Sequence, residues 1–250
     1  MIVWHGRPAH VVVNAARQLT RTVSATILRM RRHPTEELLD TDSGTPAEVA
    51  ASIRDLRWFN QWFGGVSTAA QLVKVAAGER QRLSVLDVAA GEGFVPKSLQ
   101  RHLPQLELDL TLLDRVPSHF AVNGTARSIC GDALALPFRP SSFDLVSCSL
   151  FVHHLAPEQV VLFVKEALRI CRVAVLIHDL IRDPLHLAFA YAGLPLFRSR
   201  VTRHDAIASV RQAYTVDEMR AFLQQTGAAR VEIFQKYFYR MGAIVWKAAQ

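Results

Sequence analysis

Apolar residues from residue 84 onward occur in short runs separated by segments with helical spacing. Five of these runs predict buried strands, at residues 84–89, 108–114, 126–130, 143–149 and 173–180. Between the fourth and fifth runs, Val160, Val164 and Leu168 recur at the spacing of one helix face in a segment that Pro157 opens. Strands that alternate with helices in this way predict a mostly parallel sheet with helices on both faces.

Two more apolar runs, at residues 231–237 and 239–247, lie too close together for a helical crossover, so we expect them to pair antiparallel. The predicted sheet therefore has seven strands in all, with an antiparallel strand at the C-terminus. Residues 181–214 interrupt the alternation and are interpreted as an insertion. Upstream, a capping box at residues 45–48 predicts a helix that ends in the aromatic segment 58–63.

The net charge of +7 is concentrated at the N-terminus. Residues 1–35 contain six arginines and no acidic residue, and removing those six from the 29 basic residues leaves 23 against 22 acidic ones. Because nucleic-acid binding needs basic residues on the folded body, no nucleic-acid partner is expected. We therefore divide the chain into a basic extension, 1–35, and a domain, 36–250. The extension is open to interpretation as a surface helix, a targeting peptide or a weakly ordered arm.

The cysteines and the hydropathy pattern bear on location. Cys130, Cys148 and Cys171 are odd in number and form no CxxC pair, which argues against a disulfide framework or a zinc site and favours buried free thiols. This suggests a reducing, cytoplasmic setting, and no metal is expected. No stretch of 18 residues is free of charge, so no transmembrane helix is expected, while peripheral membrane contact and the oligomeric state stay open.

A glycine turn follows the first predicted strand and is the first candidate site. Gly91 and Gly93 lack a Cβ, so a ligand can approach the backbone closely. In an open α/β sheet the ligand lies at the carboxyl ends of the strands, and Asp114 ends the second strand, where a carboxylate can accept two ribose hydroxyls. A tight strand-to-helix turn and a solvated helix-capping Asp are the alternative explanations.

Two further segments make the pattern more specific. Residues 131–138 read Gly-Asp-Ala-Leu-Ala-Leu-Pro-Phe, and residues 142–146 read Ser-Phe-Asp-Leu-Val. Together they closely resemble a stretch of the class I S-adenosylmethionine-dependent methyltransferases of the ubiquinone/menaquinone-biosynthesis type (methyltransferase type 11/25 domain). The glycine turn is similar to the first motif of that family, and the resemblance covers about residues 84–180. It implies a Rossmann-like three-layer α/β sandwich, S-adenosyl-L-methionine as cofactor, and methyltransferase activity.

The resemblance also implies which residues bind the cofactor. They are, in chain order, Asp87, Ala89, Gly91, Gly93, Asp114, Asp132, Ala133 and Ser149. Asp87 would orient the turn and, through water or directly, the methionine amino group. Asp114 would hold the ribose diol, and Asp132 would accept from the adenine amino group. Ala89 and Glu92 depart from the residues common in the family, Gly and Thr, which affects the fine details of the methionine contacts.

A phenol or enol acceptor must also lose a proton, which a histidine can take at neutral pH. His153, His154, His178 and His204 are the candidates, and a structural role is the alternative for each. We rank His178 with Asp179, and His154, as the catalytic candidates, because the ends of the strands are expected to face the cofactor.

The insertion 181–214 is the best clue to the substrate, and we expect it to act as a lid over the site. Its first half is apolar, and arginines follow. The alternative is that the insertion simply packs on the core and its arginines face solvent. We expect an apolar pocket over the strand ends, lined by Trp58, Trp62, Phe189 and Phe197 and with Arg200 or Arg203 at its mouth.

These features predict methyl transfer to oxygen or carbon of a lipophilic small molecule, such as a phenol, quinone-like or polyketide-type acceptor in secondary metabolism. The near-neutral body argues against one alternative, an RNA methyltransferase. A protein methyltransferase, a non-catalytic nucleotide-binding Rossmann-like protein and an NAD-dependent oxidoreductase also stay open.

Overall fold

The structure, a computed structural model, describes residues 30–41, 43–117, 120 and 126–248. The chain divides into two units, 1–31 and 32–250, and every strand of the sheet belongs to the second. The three interpretations of the basic extension fall mainly on residues 1–29, which lie outside the described residues. No described helix is long and apolar enough to cross a membrane.

The centre of the fold is one seven-stranded sheet, in the order β3-β2-β1-β4-β5-β7-β6. Its strands are β1 (Arg82–Val88), β2 (Glu107–Asp114), β3 (Arg127–Cys130), β4 (Phe143–Ser149), β5 (Cys171–Leu180), β6 (Arg230–Lys236) and β7 (Arg240–Trp246). Strands β1 to β5 pair parallel, and β7 runs antiparallel to both β5 and β6. This confirms the predicted Rossmann-like sheet with its antiparallel C-terminal strand.

Helices cover both faces of the sheet. The described helices are α1 (Pro46–Trp62), α2 (Gly65–Ala77), α3 (Phe94–His102), α4 (Pro157–Ile170), α5 (Pro184–Gly193), α6 (Arg200–Gln212) and α7 (Val216–Leu223), with short 3-10 turns at Val152–His154 and Leu194–Leu196. The helices α2 and α3 pack on one face and α4 and α7 on the other, each over its own apolar core. The helix α6 packs against both α1 and α5.

Local sequence signals account for most helix starts. Thr45 accepts from the backbone N–H of Glu48, whose side chain in turn accepts from Thr45, and Pro46 occupies the first helical position of α1. Thr215 and Glu218 repeat this box at α7. The insertion forms two helices with side-chain caps of their own, from Asp183 for α5 and Ser199 for α6.

The structure corrects two details of the sequence interpretation. Strand β5 begins at Cys171, directly where α4 ends, rather than at Val173. Cys148 and Cys171 are buried free thiols as expected, but Cys130 is exposed because its strand, β3, is at the edge of the sheet.

The folded domain also begins earlier than residue 36. The Arg32 guanidinium donates to the carbonyls of Gln212, His153 and Leu155 and lies 4.3 Å from the ring centroid of Tyr214. The Asp205 carboxylate accepts from the backbone N–H groups of residues 38 and 39. The segment 32–41 is therefore part of the domain, and the predicted boundary at 35/36 is a few residues too late.

Candidate cofactor and acceptor site

The glycine turn lies between β1 and α3 at the carboxyl edge of the sheet. Its backbone is left-handed at three positions, with φ of 54° at Ala89, 52° at Gly91 and 74° at Gly93. A Cβ on Gly93 would lie 2.5 Å from the Leu112 side chain, so both its conformation and its packing require glycine. A Cβ on Gly91 would meet nothing within 4 Å, so this part of the turn is open.

Asp114 ends the neighbouring strand and holds the turn in place. Its Oδ2 accepts from the Gly91 N–H at 2.8 Å, and its Oδ1 accepts from the Val116 N–H at 3.0 Å. Asp114 is only 8% exposed. A carboxylate can accept about four hydrogen bonds in all.

The segment after β3 lies next to Asp114 along the same edge. The Gly131 N–H donates to the Asp114 carbonyl at 3.0 Å. Asp132 is exposed, and its carboxylate accepts from the Leu134 N–H at 2.8 Å, with Ala133 half-buried beside it. The structure thus brings Asp114, Asp132 and Ala133 together, whereas their roles toward a nucleoside stay predictions.

Asp87 is the buried acid of the site. Its carboxyl accepts from the Ser147 hydroxyl at 2.5 Å, and the two residues are paired between β1 and β4. Burial raises the pKa of Asp87 to about 7; the Asp114 charge adds to this, and the Ser147 hydrogen bond opposes it. Asp87 therefore titrates near neutral pH.

His178 continues this polar row on β5, where it pairs with Ser149 of β4. Asp87, Ser147, Ser149 and His178 line one small cavity, which α2 and α3 close from above. Burial lowers the pKa of His178 to about 3, with a contribution from the Arg240 charge, so the ring is neutral at pH 7. Neither ring nitrogen has a hydrogen-bond partner among the described residues.

His178 and Asp179 do not pair, because successive residues of a strand point to opposite faces of the sheet. The Asp179 carboxylate instead accepts from His153, through Nδ1 at 2.6 Å and through the backbone N–H at 3.1 Å. On the far side of the ring, His153 Nε2 lies 3.3 Å from Glu37 Oε1, an ion pair rather than an aligned hydrogen bond. All three residues are buried.

The charges in this cluster stabilise one another. Burial opposes the charged ring of His153, but the carboxylates of Asp179 and Glu37 outweigh it and raise the pKa to about 10. The pKa of each carboxyl is lowered despite burial, chiefly through His153. His154 forms a separate, more exposed pair with Asp40, Nδ1 to Oδ2 at 2.9 Å.

Glu37, His153 and His154 offer ligand atoms within 4.8 Å of one another, the one such group that the described part of the chain contains. Their side chains are already paired with Asp179, Asp40 and each other. We therefore assign no metal to them.

Two segments cover the carboxyl edge. Arg57 of α1 forms an ion pair with Glu92 of the glycine turn, which holds this helix over the turn. The insertion is joined to α1 by the Asp55 carboxylate, which accepts from the Arg198 N–H at 2.9 Å, and by the Ser199 hydroxyl, which donates to the Glu48 carbonyl at 2.8 Å.

Aromatic rings extend this junction, and we call them the aromatic cover. Its members contact one another in a chain and are Trp58, Phe59, Phe63, Phe189, Phe197, Phe238 and Tyr239. The last two belong to the turn between β6 and β7, which lies at the carboxyl edge because β6 runs in the direction of β5. The turn thus brings rings from a third segment to this edge.

Some residues that the sequence placed at this pocket lie elsewhere. Trp62 is 67% exposed and is not part of the aromatic cover, whereas Phe197 belongs to the cover but is buried against Phe59, at 5.1 Å between ring centroids. The Arg200 guanidinium pairs with Glu48, and the Arg203 guanidinium donates to the Phe197 carbonyl. Both groups therefore bind protein partners and not the mouth of the expected pocket. His204 pairs with the adjacent Asp205, outside the polar row.

Sequence reasoning missed two buried groups, Glu37 and Arg240. Glu37 lies in the segment that the charge pattern placed next to the basic extension, and no local motif marks it. Arg240 begins β7 and is 4% exposed. Its only local signal is a charge at the start of an otherwise apolar strand.

Comparison with known proteins finds a family model that matches part of the chain and several solved structures of similar fold. Residues 86–176 match a family model described as a methyltransferase domain. The fold is similar to that of the plantazolicin methyltransferase BpumL in complex with SAH, at 15% identity and a TM-score of 0.61, over 85% of this chain and 95% of that one.

Two further solved structures have a similar fold. One is the plantazolicin methyltransferase BamL in complex with a triazolic desmethylPZN analog and SAH (15% identity, TM-score 0.61, 82% of this chain and 92% of that one). The other is a SAM dependent methyltransferase from Aquifex aeolicus (16%, 0.53, 72% and 89%). At these identities the likeness concerns the fold alone. None of the curated proteins matches the sequence significantly.

The matched segment runs from β1 into β5 and contains the glycine turn, Asp114 and the end of β4. The chain thus carries a methyltransferase domain and is an S-adenosylmethionine-dependent enzyme, with S-adenosylmethionine as its cofactor. The narrower likeness to the ubiquinone/menaquinone type stays an expectation.

Proposed function

We propose that the enzyme methylates an oxygen or carbon of a lipophilic small molecule of the phenol, quinone-like or polyketide type. The observation that carries this proposal is the aromatic cover, which joins α1, the insertion and the β6–β7 turn at the carboxyl edge. Trp58 and Phe189 are 43% and 44% exposed, so the cover keeps apolar surface available to a ligand.

The cofactor contacts follow from the residues that meet at this edge. S-adenosylmethionine supplies, when bound, a methyl group that its sulfonium has already activated. The open backbone at Gly91 admits a ligand close to the turn. We assign the ribose hydroxyls to Asp114, the adenine amino group to Asp132 and the methionine amino group to Asp87. The chain's own contribution is then chiefly alignment of the acceptor.

We further propose His178 as the group that accepts the proton of an acceptor hydroxyl. Of the three catalytic candidates it is the one whose ring nitrogens have no partner among the described residues, and it lines the cavity beside Ser149. Asp179 is paired with His153, and His154 is paired with Asp40. Asp179 and His154 are therefore better suited to positioning the segment after β4.

A modified peptide is a second candidate acceptor. BpumL was crystallised with desmethylPZN analogs. The similarity covers 85% of this chain, well beyond the segment 86–176 that the family model matches. A fold match of this kind suggests a substrate class to include in a screen.

The test is transfer of labelled methyl from S-adenosylmethionine to a panel of paired acceptors. Each lipophilic phenol is matched with its methyl ether, and azole-containing peptides form a separate arm. We expect label in the phenols alone, loss of kcat in His178→Ala, and near-normal kcat in His154→Ala. Label only in the peptides would overturn the acceptor class, and full kcat in His178→Ala would overturn the assignment of the base.

A further inference from the structure

Arg240 is a buried guanidinium with an unused donor. It begins β7 opposite Leu180 of β5, and its Nε donates to the Phe63 carbonyl at 3.3 Å. Its Nη1 has no hydrogen-bond partner among residues 30–41, 43–117, 120 and 126–248. Burial lowers the pKa of Arg240 to about 10, partly offset by Asp179, so the group is charged at neutral pH. A buried charge with an unmet donor is costly unless something pairs with it.

His178 lies on the same face of the sheet, two pairs further along the β5–β7 ladder. It pairs with Gly242 of β7, two residues from Arg240, so the two side chains are diagonal neighbours. His178 is 2% exposed, and both of its ring nitrogens lack a hydrogen-bond partner among the described residues. Unmet donors from two buried side chains thus occur together beside the cavity that His178 lines.

The acidic groups near this pair are engaged elsewhere. The oxygens of Asp179 accept from His153 and from the Leu180 N–H. Asp87 lies two strands from β5, across β4, and is bound to the Ser147 hydroxyl. His186, on which the Arg240 charge also acts, contacts the Ile181 carbonyl through Nδ1 at 2.9 Å.

We propose that Arg240 and His178 together bind an anionic oxygen of a ligand, a carboxylate or a phenolate. Guanidinium N–H and imidazole N–H both donate, and an anion accepts from both at once, which a neutral group does less well. The anion is either a group of the methyl acceptor or the methionine carboxylate of the cofactor. An anion supplied by the acceptor rests on the proposed function. An anion at this position also offsets the Arg240 charge and so makes His178 a better proton acceptor.

Thermal unfolding with small probes tests the site without any need for turnover. Sodium formate is compared with formamide, its neutral counterpart, at equal ionic strength, in the wild type, Arg240→Met and Arg198→Met. Arg198 is an exposed arginine and controls for the loss of one charge. We expect formate to raise Tm more than formamide in the wild type and Arg198→Met, and this excess to vanish in Arg240→Met.

Arg240→Met is expected to fold, because it replaces a buried charge with an apolar side chain of similar length. If it does not, Arg240→Gln removes the charge and keeps a polar group, and it too should lose the excess. Equal shifts with formate and formamide in the wild type, or an excess that persists without Arg240, overturn the proposal.

Calorimetry separates the two sources of the anion. If the cofactor carboxylate binds at Arg240, Arg240→Met weakens S-adenosylhomocysteine about tenfold or more and leaves its decarboxylated analogue unchanged. If the acceptor supplies the anion, affinity for S-adenosylhomocysteine is unchanged and formate still raises Tm at saturating S-adenosylhomocysteine. A formate effect without methyl transfer to any small molecule would contradict the proposed function alone, and normal transfer without a formate effect would contradict this site alone.

Discussion

Cofactor affinity should depend on pH through Asp87, and this dependence tests the assigned role of that residue. Burial raises its pKa to about 7. If the carboxylate binds the cationic amino group of methionine, only the ionised form is competent. Binding then releases a proton below pH 7, so affinity rises with pH and levels off above it.

The magnitude follows from the ionised fraction. With a pKa of about 7, roughly one Asp87 in eleven is ionised at pH 6 and roughly ten in eleven at pH 8. The Kd of S-adenosylhomocysteine should therefore fall about tenfold between pH 6 and pH 8, which corresponds to about 1.4 kcal/mol. Ser147 donates to Asp87 and lowers its pKa, so Ser147→Ala should move the rise to higher pH.

Isothermal titration calorimetry between pH 6 and 8 in buffers of different ionisation enthalpy measures both the affinity and the proton released. Asp87→Asn is the matched control, since the amide has the shape of the carboxyl but does not titrate. Its profile should be flat, at the weaker limit. A profile that is the same in the wild type and Asp87→Asn would refute the reasoning, because the titrating group would then lie elsewhere.

Two predictions concern stability. His153→Gln leaves Asp179 and Glu37 buried without their cation and should lower the free energy of unfolding by about 3–5 kcal/mol in urea denaturation. The pKa of His153 is raised from 6.5 to about 10, so the stabilisation by its charge is complete below pH 6.5 and is lost as pH rises through 10. If His153→Gln lowered the free energy of unfolding as much at pH 10 as at pH 6, this would contradict the ion-pair account. Removal of residues 1–31 should leave Tm nearly unchanged, whereas removal of residues 1–40, which also takes away Arg32 and Glu37, should lower it by at least about 5 °C. Equal Tm values for the two truncations would show that the segment 32–40 does not stabilise the domain.

The fold was largely predictable because its signals are local. Apolar runs marked the strands, and capping residues such as Thr45 and Thr215 marked helix starts to within a residue or two. The glycine turn and Asp114 could be found together because parallel strands bring their carboxyl ends to one edge.

The pairing of side chains was less predictable. His178 and Asp179 are adjacent in sequence, yet the alternation of a strand sends them to opposite faces, and that rule could have been applied to the sequence itself. Glu37 and Arg240 have partners far along the chain, His153 and the Phe63 carbonyl, and no local pattern encodes such contacts.

The central claim is a nucleoside-binding edge built on the glycine turn and Asp114, and calorimetry with S-adenosylhomocysteine and NAD tests it most directly. The account predicts one S-adenosylhomocysteine per chain, no measurable binding of NAD, and a loss of about 2–3 kcal/mol in Asp114→Ala, whose fold is checked by circular dichroism. Asp114→Asn, which keeps an acceptor for the Gly91 N–H, separates loss of the ribose contact from distortion of the turn. Binding of NAD, or unchanged affinity for S-adenosylhomocysteine in a folded Asp114→Ala, would contradict it.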